Sequence, residues 1–244
     1  MELLKKYSSD LGIPISEDQL NTFQHYSEIL LYWNSKFNIT RITKPLEIQI
    51  KHFLDSITLL KLIPHHIPIP LKLIDIGSGG GFPGIPIKIL LPNLKLTLVE
   101  STKKKCDFLS TVLKELNLEH SDVIYGRAED LGHDDTFRNS FDIVTARALA
   151  QMSVLTELCL PFCKIDGNLV AWKTPDNSTS FNAAVRITKI ISESKNNDTN
   201  NPVTEHITQI NKIQFNQSLI QVNKKTAILN KYPRKNGLPK KRPL

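Results

Sequence analysis

Apolar positions recur with two different periods along this chain, and the change of period marks its organisation. Over residues 1–66 the spacing is helical. Ser16 and Gln19 form a capping box, followed by Leu20, Phe23, Leu30 and Trp33 on one stripe. Pro45 suits the first turn of a second helix, whose stripe runs Leu46, Ile50, Phe53, Ile57, Leu60 and is expected to pack against the rest of the fold. Lys51, His52 and Asp55 fall on its other faces, a spacing that reads as a surface ion pair beside an imidazole. Pro64, Pro68 and Pro70 then break the chain. From residue 71 the pattern becomes short apolar runs: 71–76, 94–100, 123–125, 141–145 and 168–172. Helical stretches between them, over 103–116 (Phe108, Val112, Leu116) and about 151–160, predict a parallel sheet covered on both faces. Strand-like segments at 206–215 and 219–229 close it as an antiparallel pair, after a polar loop over Ser192–Asn201.

Composition changes this picture in one respect. With 40% hydrophobic and 23% charged residues the chain reads as ordinary globular protein, and no apolar run reaches the roughly 18 residues of a membrane span. The N-terminus lacks a signal-peptide pattern, and Cys106, Cys159 and Cys163 have neither disulfide nor zinc spacing, so no metal is expected and a cytoplasmic location is. Cys159 and Cys163, four apart, suit one helix face as packing thiols. The net charge of +7 is uneven: eight basic and no acidic residues lie between Lys224 and Leu244. Without those eight, 23 basic residues face 24 acidic ones. A cationic tail of this kind is the footprint of a phosphate-backbone partner.

The candidate chemistry sits at strand ends. Asp75-Ile76-Gly77-Ser78-Gly79-Gly80-Gly81-Phe82-Pro83-Gly84 is a glycine-rich turn from a buried strand into a helix. Dinucleotide folds place an apolar residue where Asp75 stands. A carboxylate there would repel a pyrophosphate and suits a cationic amino-acid moiety, so the turn looks like the first motif of S-adenosylmethionine-dependent methyltransferases. Glu100 ends the second strand, where a carboxylate accepts from two vicinal ribose hydroxyls. Glu129 and Asp130 follow the third strand, within reach of an adenine. Acids at three successive strand ends mark the edge where open α/β sheets bind ligands. The fold class expected is therefore the class I methyltransferase fold, Rossmann-like with a mostly parallel seven-stranded sheet. Residues 1–66 form an N-terminal helical extension, 67–230 the core and 231–244 a basic tail. Lys103, Lys104 and Lys105 open a helix with the wrong sign for its dipole, either as phosphate contacts or as a solvated face.

The acceptor is narrowed by absences. The fourth strand ends in Thr145-Ala146-Arg147, not the acid-Pro-Pro-aromatic motif of exocyclic-amine enzymes. No cysteine is placed as a cytosine-C5 nucleophile, and Asp142 stands at the start of its strand, unlike the aspartate of ribose 2′-O enzymes. An acceptor already carrying a lone pair, such as a ring nitrogen, needs no general base, and catalysis by alignment suffices.

Several segments resemble the glucose-inhibited division protein B family, bacterial methyltransferases of guanine N7 in 16S ribosomal RNA. They are Trp33-Asn34-Ser35-Lys36-Phe37-Asn38-Ile39-Thr40, Lys51-His52-Phe53-Leu54-Asp55-Ser56, the Asp75–Gly84 turn, Ala128-Glu129, Arg147-Ala148 and Lys173. The tail from Lys231-Tyr232-Pro233-Arg234-Lys235 to Leu244 resembles the longer members. The resemblance implies S-adenosylmethionine contacts at Gly77, Phe82, Ala128, Glu129 and Arg147, to which the residues themselves add Ser78, Gly79 and Glu100. It turns Lys51, His52 and Asp55 toward a site. Arg147 would meet the cofactor carboxylate or an RNA phosphate. Lys103, Lys104, Lys173, Arg234 and Lys235 are candidate RNA contacts, with 16S rRNA or the small ribosomal subunit as partner of a monomer. The alternatives are a methyltransferase of the same fold acting on another RNA, a small molecule or a protein, and a nucleotide-binding RNA chaperone.

Overall fold

The computed structural model describes residues 1–63, 70–147, 150–174, 178–193, 202–210 and 215–244, with backbone alone at 215–217. Pro64, Pro68, Ala148 and residues 194–201 of the polar loop lie outside the described residues. Seven strands form one sheet: β1 (Lys72–Ile76), β2 (Lys95–Glu100), β3 (Ser121–Tyr125), β4 (Phe141–Arg147), β5 (Cys163–Lys173), β6 (Val203–Ile210) and β7 (Phe215–Asn223). Their order is β3-β2-β1-β4-β5-β7-β6. β1 is parallel to β4, β4 to β5 and β2 to β3, whereas β7 is antiparallel to both β5 and β6. The helices are α1 (Glu2–Asp10), α2 (Glu17–Asn34), α3 (Pro45–Ile48), α4 (Asp55–Ile57), α5 (Gly84–Leu90), α6 (Lys103–Glu115), α7 (Ala128–Leu131), α8 (Met152–Cys159), α9 (Thr179–Ile191) and α10 (Leu238–Lys241).

The chain divides into two compact units, Met1–Leu71 with Ser78–Tyr125, and Lys72–Gly77 with Gly126–Leu244. In the first unit α2 starts at the expected capping box: the Ser16 side chain accepts from Gln19 N–H, and the Gln19 side chain from Ser16 N–H. Phe23, Tyr26 and Leu30 of α2 are fully buried, together with Phe53, Leu98 of β2 and Phe108, Leu109 and Val112 of α6. The stripe from Leu46 departs from expectation. After α3 the chain widens into a π-helical segment, Gln49–Leu54, before α4 and a 3₁₀ turn over Thr58–Leu62. Wider turns rotate the later residues away from a 3.6-residue stripe. Leu46 is consequently 62% exposed, while His52 and Asp55, expected at the surface from spacing alone, are 7% and 5% exposed.

In the second unit α8 is buried along its whole length and contacts β4, β5 and α9. Pro161 cannot continue the helix, so a 3₁₀ turn over Leu160–Phe162 separates Cys159 from Cys163, which opens β5. The two thiols therefore do not share a helix face, although both are buried as expected. Helix α9 occupies a stretch to which the sequence pattern assigns no element. Its buried positions Ala184, Ile187 and Ile191 lie at helical spacing. After β7 the chain pairs with the end of α9, through Glu193 N–H to Ala227 O and Leu229 N–H to Ile191 O. The basic tail is thus largely a docked segment. Lys224 is 1% exposed, its Nζ donating to Asn139 Oδ1 and to Cys163 O.

Candidate cofactor site and RNA-facing groups

In the first unit the glycine turn folds back onto β2. Ser78 N–H donates to Val99 O at 3.0 Å, and Gly79 N–H to Glu100 Oε2 at 3.1 Å. Thr102 N–H reaches the other oxygen, Oε1, at 2.9 Å. Ser78, Gly79 and Glu100, all expected at the cofactor, are therefore one hydrogen-bonded group. Each carboxylate oxygen accepts one backbone N–H and has a second lone-pair direction, which is what a pair of vicinal hydroxyls requires. Gly79 and Gly81 have φ of 58° and 86°, and a Cβ at Gly81 would stand 2.6 Å from the Tyr26 hydroxyl. That hydroxyl donates to Gly80 O.

Phe82 extends this arrangement toward the N-terminal helices. Its ring stacks on His52 with centroids 4.2 Å apart at 15°, and on Tyr26 at 5.5 Å. His52 Nε2 is 2.9 Å from Thr40 Oγ1, and Asn34 Oδ1 accepts the N–H groups of Ile39 and Thr40. The Trp33–Thr40 segment is thus a carboxamide-tied loop that presents a hydroxyl to the imidazole. Lys51 is exposed, 3.2 Å from Glu47. Lys103 and Lys104 are exposed on the first turn of α6, the former 3.3 Å from Asp107.

In the second unit Asp75 is fully buried near the end of β1 and accepts from Thr145 Oγ1 at 3.0 Å, its register partner on β4. Gly77 takes φ 72° immediately after the strand. Ala128 is buried at the start of α7, and Glu129 Oε1 accepts from Gly237 N–H at 3.1 Å. Arg147 is the half-buried last residue of β4, and Lys173, last of β5, donates to Ala150 O. Arg234, expected at RNA, is turned onto α8. Its Nε and Nη2 form a fork on Glu157 at 2.8 and 2.7 Å, its backbone N–H joins them at 2.9 Å, and Glu157 is fully buried. These bonds hold the guanidinium protonated, above its ordinary range. Lys235 beside it is exposed.

No thiol here is poised as a nucleophile. Burial pushes Cys106 and Cys159 up and raises Cys163 to about 12, so all three stay protonated near neutrality. Among the described residues no cluster of three or more His, Cys, Asp or Glu could hold a metal ion. No described helix is long and apolar enough to cross a membrane.

Residues 19–211 match the model of the GidB family, described as rRNA small subunit methyltransferase G. The chain belongs to this family. Curated GidB relatives match along nearly their whole length. A ribosomal RNA small subunit methyltransferase G of Streptococcus suis is 40% identical, covering 100% of this chain and 99% of its own. One of Desulforamulus reducens is 37% identical, over 99% and 97%. Among solved structures, an O-methyltransferase from Bacillus cereus in complex with SAH superposes with a TM-score of 0.54 at 15% identity, over 91% of this chain and 97% of that one. At that identity it bears on the fold alone, which is the class I methyltransferase fold. Within this GidB chain the sequence pattern leaves four groups unmarked: Tyr26, Thr145, Glu157 and Gly237. Thr145 had a signal, since parallel register sets it opposite Asp75. Glu157 and Gly237 act on residues 77 and 108 positions away, beyond any local pattern.

Proposed function

We propose that this chain transfers the methyl group of S-adenosylmethionine to guanine N7 of 16S rRNA in the small ribosomal subunit. The observation that carries the reading is the family match over residues 19–211, joined by full-length relatives named for small-subunit rRNA methylation. The donor set fits the cofactor: a carboxylate with an open lone-pair direction on each oxygen at the end of β2, and a buried carboxylate near the end of β1. When bound, S-adenosylmethionine supplies an electrophilic methyl carbon on a sulfonium.

Glu100 accepts from the ribose hydroxyls, held in place by the Gly79 and Thr102 N–H groups. Asp75, oriented by Thr145, faces the cationic amino-acid end, with Gly77 and Ser78 giving the backbone close approach. Ala128 and Glu129 are assigned to the adenine, and Phe82, stacked on His52, is assigned to the cofactor as well. Arg147 is assigned to an anion, the cofactor carboxylate or an RNA phosphate, because a cation beside a sulfonium is repelled. No residue is assigned as general base. N7 of guanine is unprotonated at neutral pH, so the chain's task is to align the lone pair and exclude water. N7 lies in the deep groove of A-form RNA, so the target guanine is in an exposed loop or flipped out. Lys51, Lys103, Lys104, Lys173 and Lys235 are assigned to RNA, and His52 and Asp55 to shaping the site. We further propose a cytoplasmic monomer, with 1–66 as helical cap, 67–230 as catalytic core and 231–244 as tail.

The test is acceptor choice. Methyl-labelled S-adenosylmethionine and purified protein are offered small subunits, large subunits and a small-molecule extract, all from cells lacking the protein. Label confined to small-subunit RNA is expected. Label in the extract, or equal label in both subunits, would displace the reading in favour of another acceptor.

A further inference from the structure

The C-terminal segment is fastened to the part of the second unit that carries Glu129. Arg138 donates from Nη1 to Tyr232 O at 2.9 Å and from Nη2 to Ile228 O at 2.8 Å. His133 Nε2 lies 2.7 Å from Pro233 O. The Pro233 ring sits so close to Gly132 that a Cβ there would stand 2.8 Å from Cγ. Arg234 forks onto Glu157 of α8, and its Nη2 also reaches Arg242 O at 2.9 Å. The chain then turns at Gly237, φ 77°, and delivers that residue's N–H to Glu129 Oε1. Helix α8 contacts both α7, which bears Glu129, and α10, which follows Gly237.

A cationic tail meant only for phosphate has no need of this arrangement. A salt bridge with one partner fully buried and the other 20% exposed costs desolvation on both sides, so net stabilisation alone does not account for it. What it positions is a backbone donor on a carboxylate. A glutamate side chain left alone samples several rotamers, and one fixed N–H on Oε1 selects among them and leaves the second oxygen to accept elsewhere.

We propose that Arg234 and Gly237 are positioning residues for cofactor recognition: the Arg234–Glu157 fork seats the tail so that Gly237 N–H orients Glu129, whose Oε2 accepts from the adenine amino group. This rests on the reading of Glu129 as the adenine contact. The tail is then part of the cofactor site as well as a carrier of cations for RNA, and the same segment that meets RNA sets the grip on the cofactor.

The test compares S-adenosylhomocysteine with S-inosylhomocysteine, in which an oxo group replaces the adenine amine. Calorimetric binding is measured for the wild-type chain and for Glu129→Ala, Arg234→Ala and Gly237→Pro, each checked by thermal melting. Arg234→Ala and Gly237→Pro are expected to weaken S-adenosylhomocysteine binding about tenfold, the worth of one hydrogen bond to a charged group. Binding of the inosine analogue should hardly change, so discrimination between the two shrinks. A merely structural tail would weaken both ligands alike or neither. Gly237→Pro removes the donor and, because proline cannot take φ 77°, also the turn that presents it, while leaving the Arg234 and Glu157 side chains in place; it carries the test if Arg234→Ala fails to fold. Folded tail variants that bind and discriminate like wild type, while Glu129→Ala loses affinity, would overturn the positioning role alone. Wild-type binding by Glu129→Ala would instead overturn the assignment of Glu129, and the inference with it.

Discussion

Glu100 and Arg234 are both charged residues near a predicted site, yet only the first was legible from sequence. Glu100 meets its two donors within a turn the glycine pattern already defines, Gly79 across one crossover and Thr102 two residues on. Arg234 is fixed by Glu157 on α8, an acid inside an otherwise apolar run, and pairing across 77 residues has no sequence signature. Lys224 is a similar case. It counts toward the tail's charge, yet it is buried, and desolvation lowers its pKa from 10.5 to about 8. Between those values the unfolded chain binds a proton that the folded chain does not, so this residue's contribution to stability rises with pH from about 8 toward 10.5. Below about 8 both states are protonated and its contribution is flat. Lys224→Met is expected to remove that rise. Urea midpoints of both proteins across pH 7–10 measure it, and parallel slopes would contradict a depressed lysine.

At the scale of elements, the first five strands were readable because each apolar run is short and bounded by turn residues, whereas the closing pair is shifted, β6 running Val203–Ile210 and β7 Phe215–Asn223 against the expected 206–215 and 219–229. Two helical segments were not readable. The segment after Pro45 carries an apolar stripe of α-helical period, but the π-helical turn over Gln49–Leu54 rephases it. α9 is rich in β-branched residues (Val185, Ile187, Thr188, Ile190, Ile191), which weaken a helical reading, and no side-chain cap announces its start at Ser178. The rephasing separates two positions that the stripe treats alike. Phe53 is fully buried, with ring centroids 4.9 Å from Phe23 and 5.4 Å from Tyr26. Phe53→Ala should cost about 3–5 kcal/mol, whereas Leu46→Ala at an exposed position should stay within about 0.5 kcal/mol. Chemical denaturation of the two variants decides it, and equal costs would restore the regular helix.

For the whole molecule, the net charge of +7 overstates how many tail cations face outward. Of the eight between Lys224 and Leu244, Lys224 is buried and Arg234 is turned inward, while Lys225, Lys231, Lys235, Lys240, Lys241 and Arg242 are exposed. Charge counting finds a patch; only packing tells which charges are turned into the protein. The exposed ones should still act as phosphate contacts. Replacing Lys235, Lys240 and Lys241 with Gln is expected to weaken binding to small-subunit RNA. The slope of log affinity against log salt should fall by about 2–3, roughly 0.7–0.9 for each phosphate no longer neutralised. An unchanged slope would remove the tail from the RNA interface. The fold, the cofactor class and the strand-end acids were all readable from one-dimensional pattern because each is local to a strand and its turn. The tail's docking was not, because it joins residues a hundred positions apart.

The central claim is methyl transfer to guanine N7. Small subunits from cells lacking the protein are incubated with it and methyl-labelled S-adenosylmethionine, and the 16S rRNA is digested to nucleosides for mass spectrometry. The account predicts label in 7-methylguanosine. Label in any other nucleoside, or none while the cofactor still binds, would contradict it.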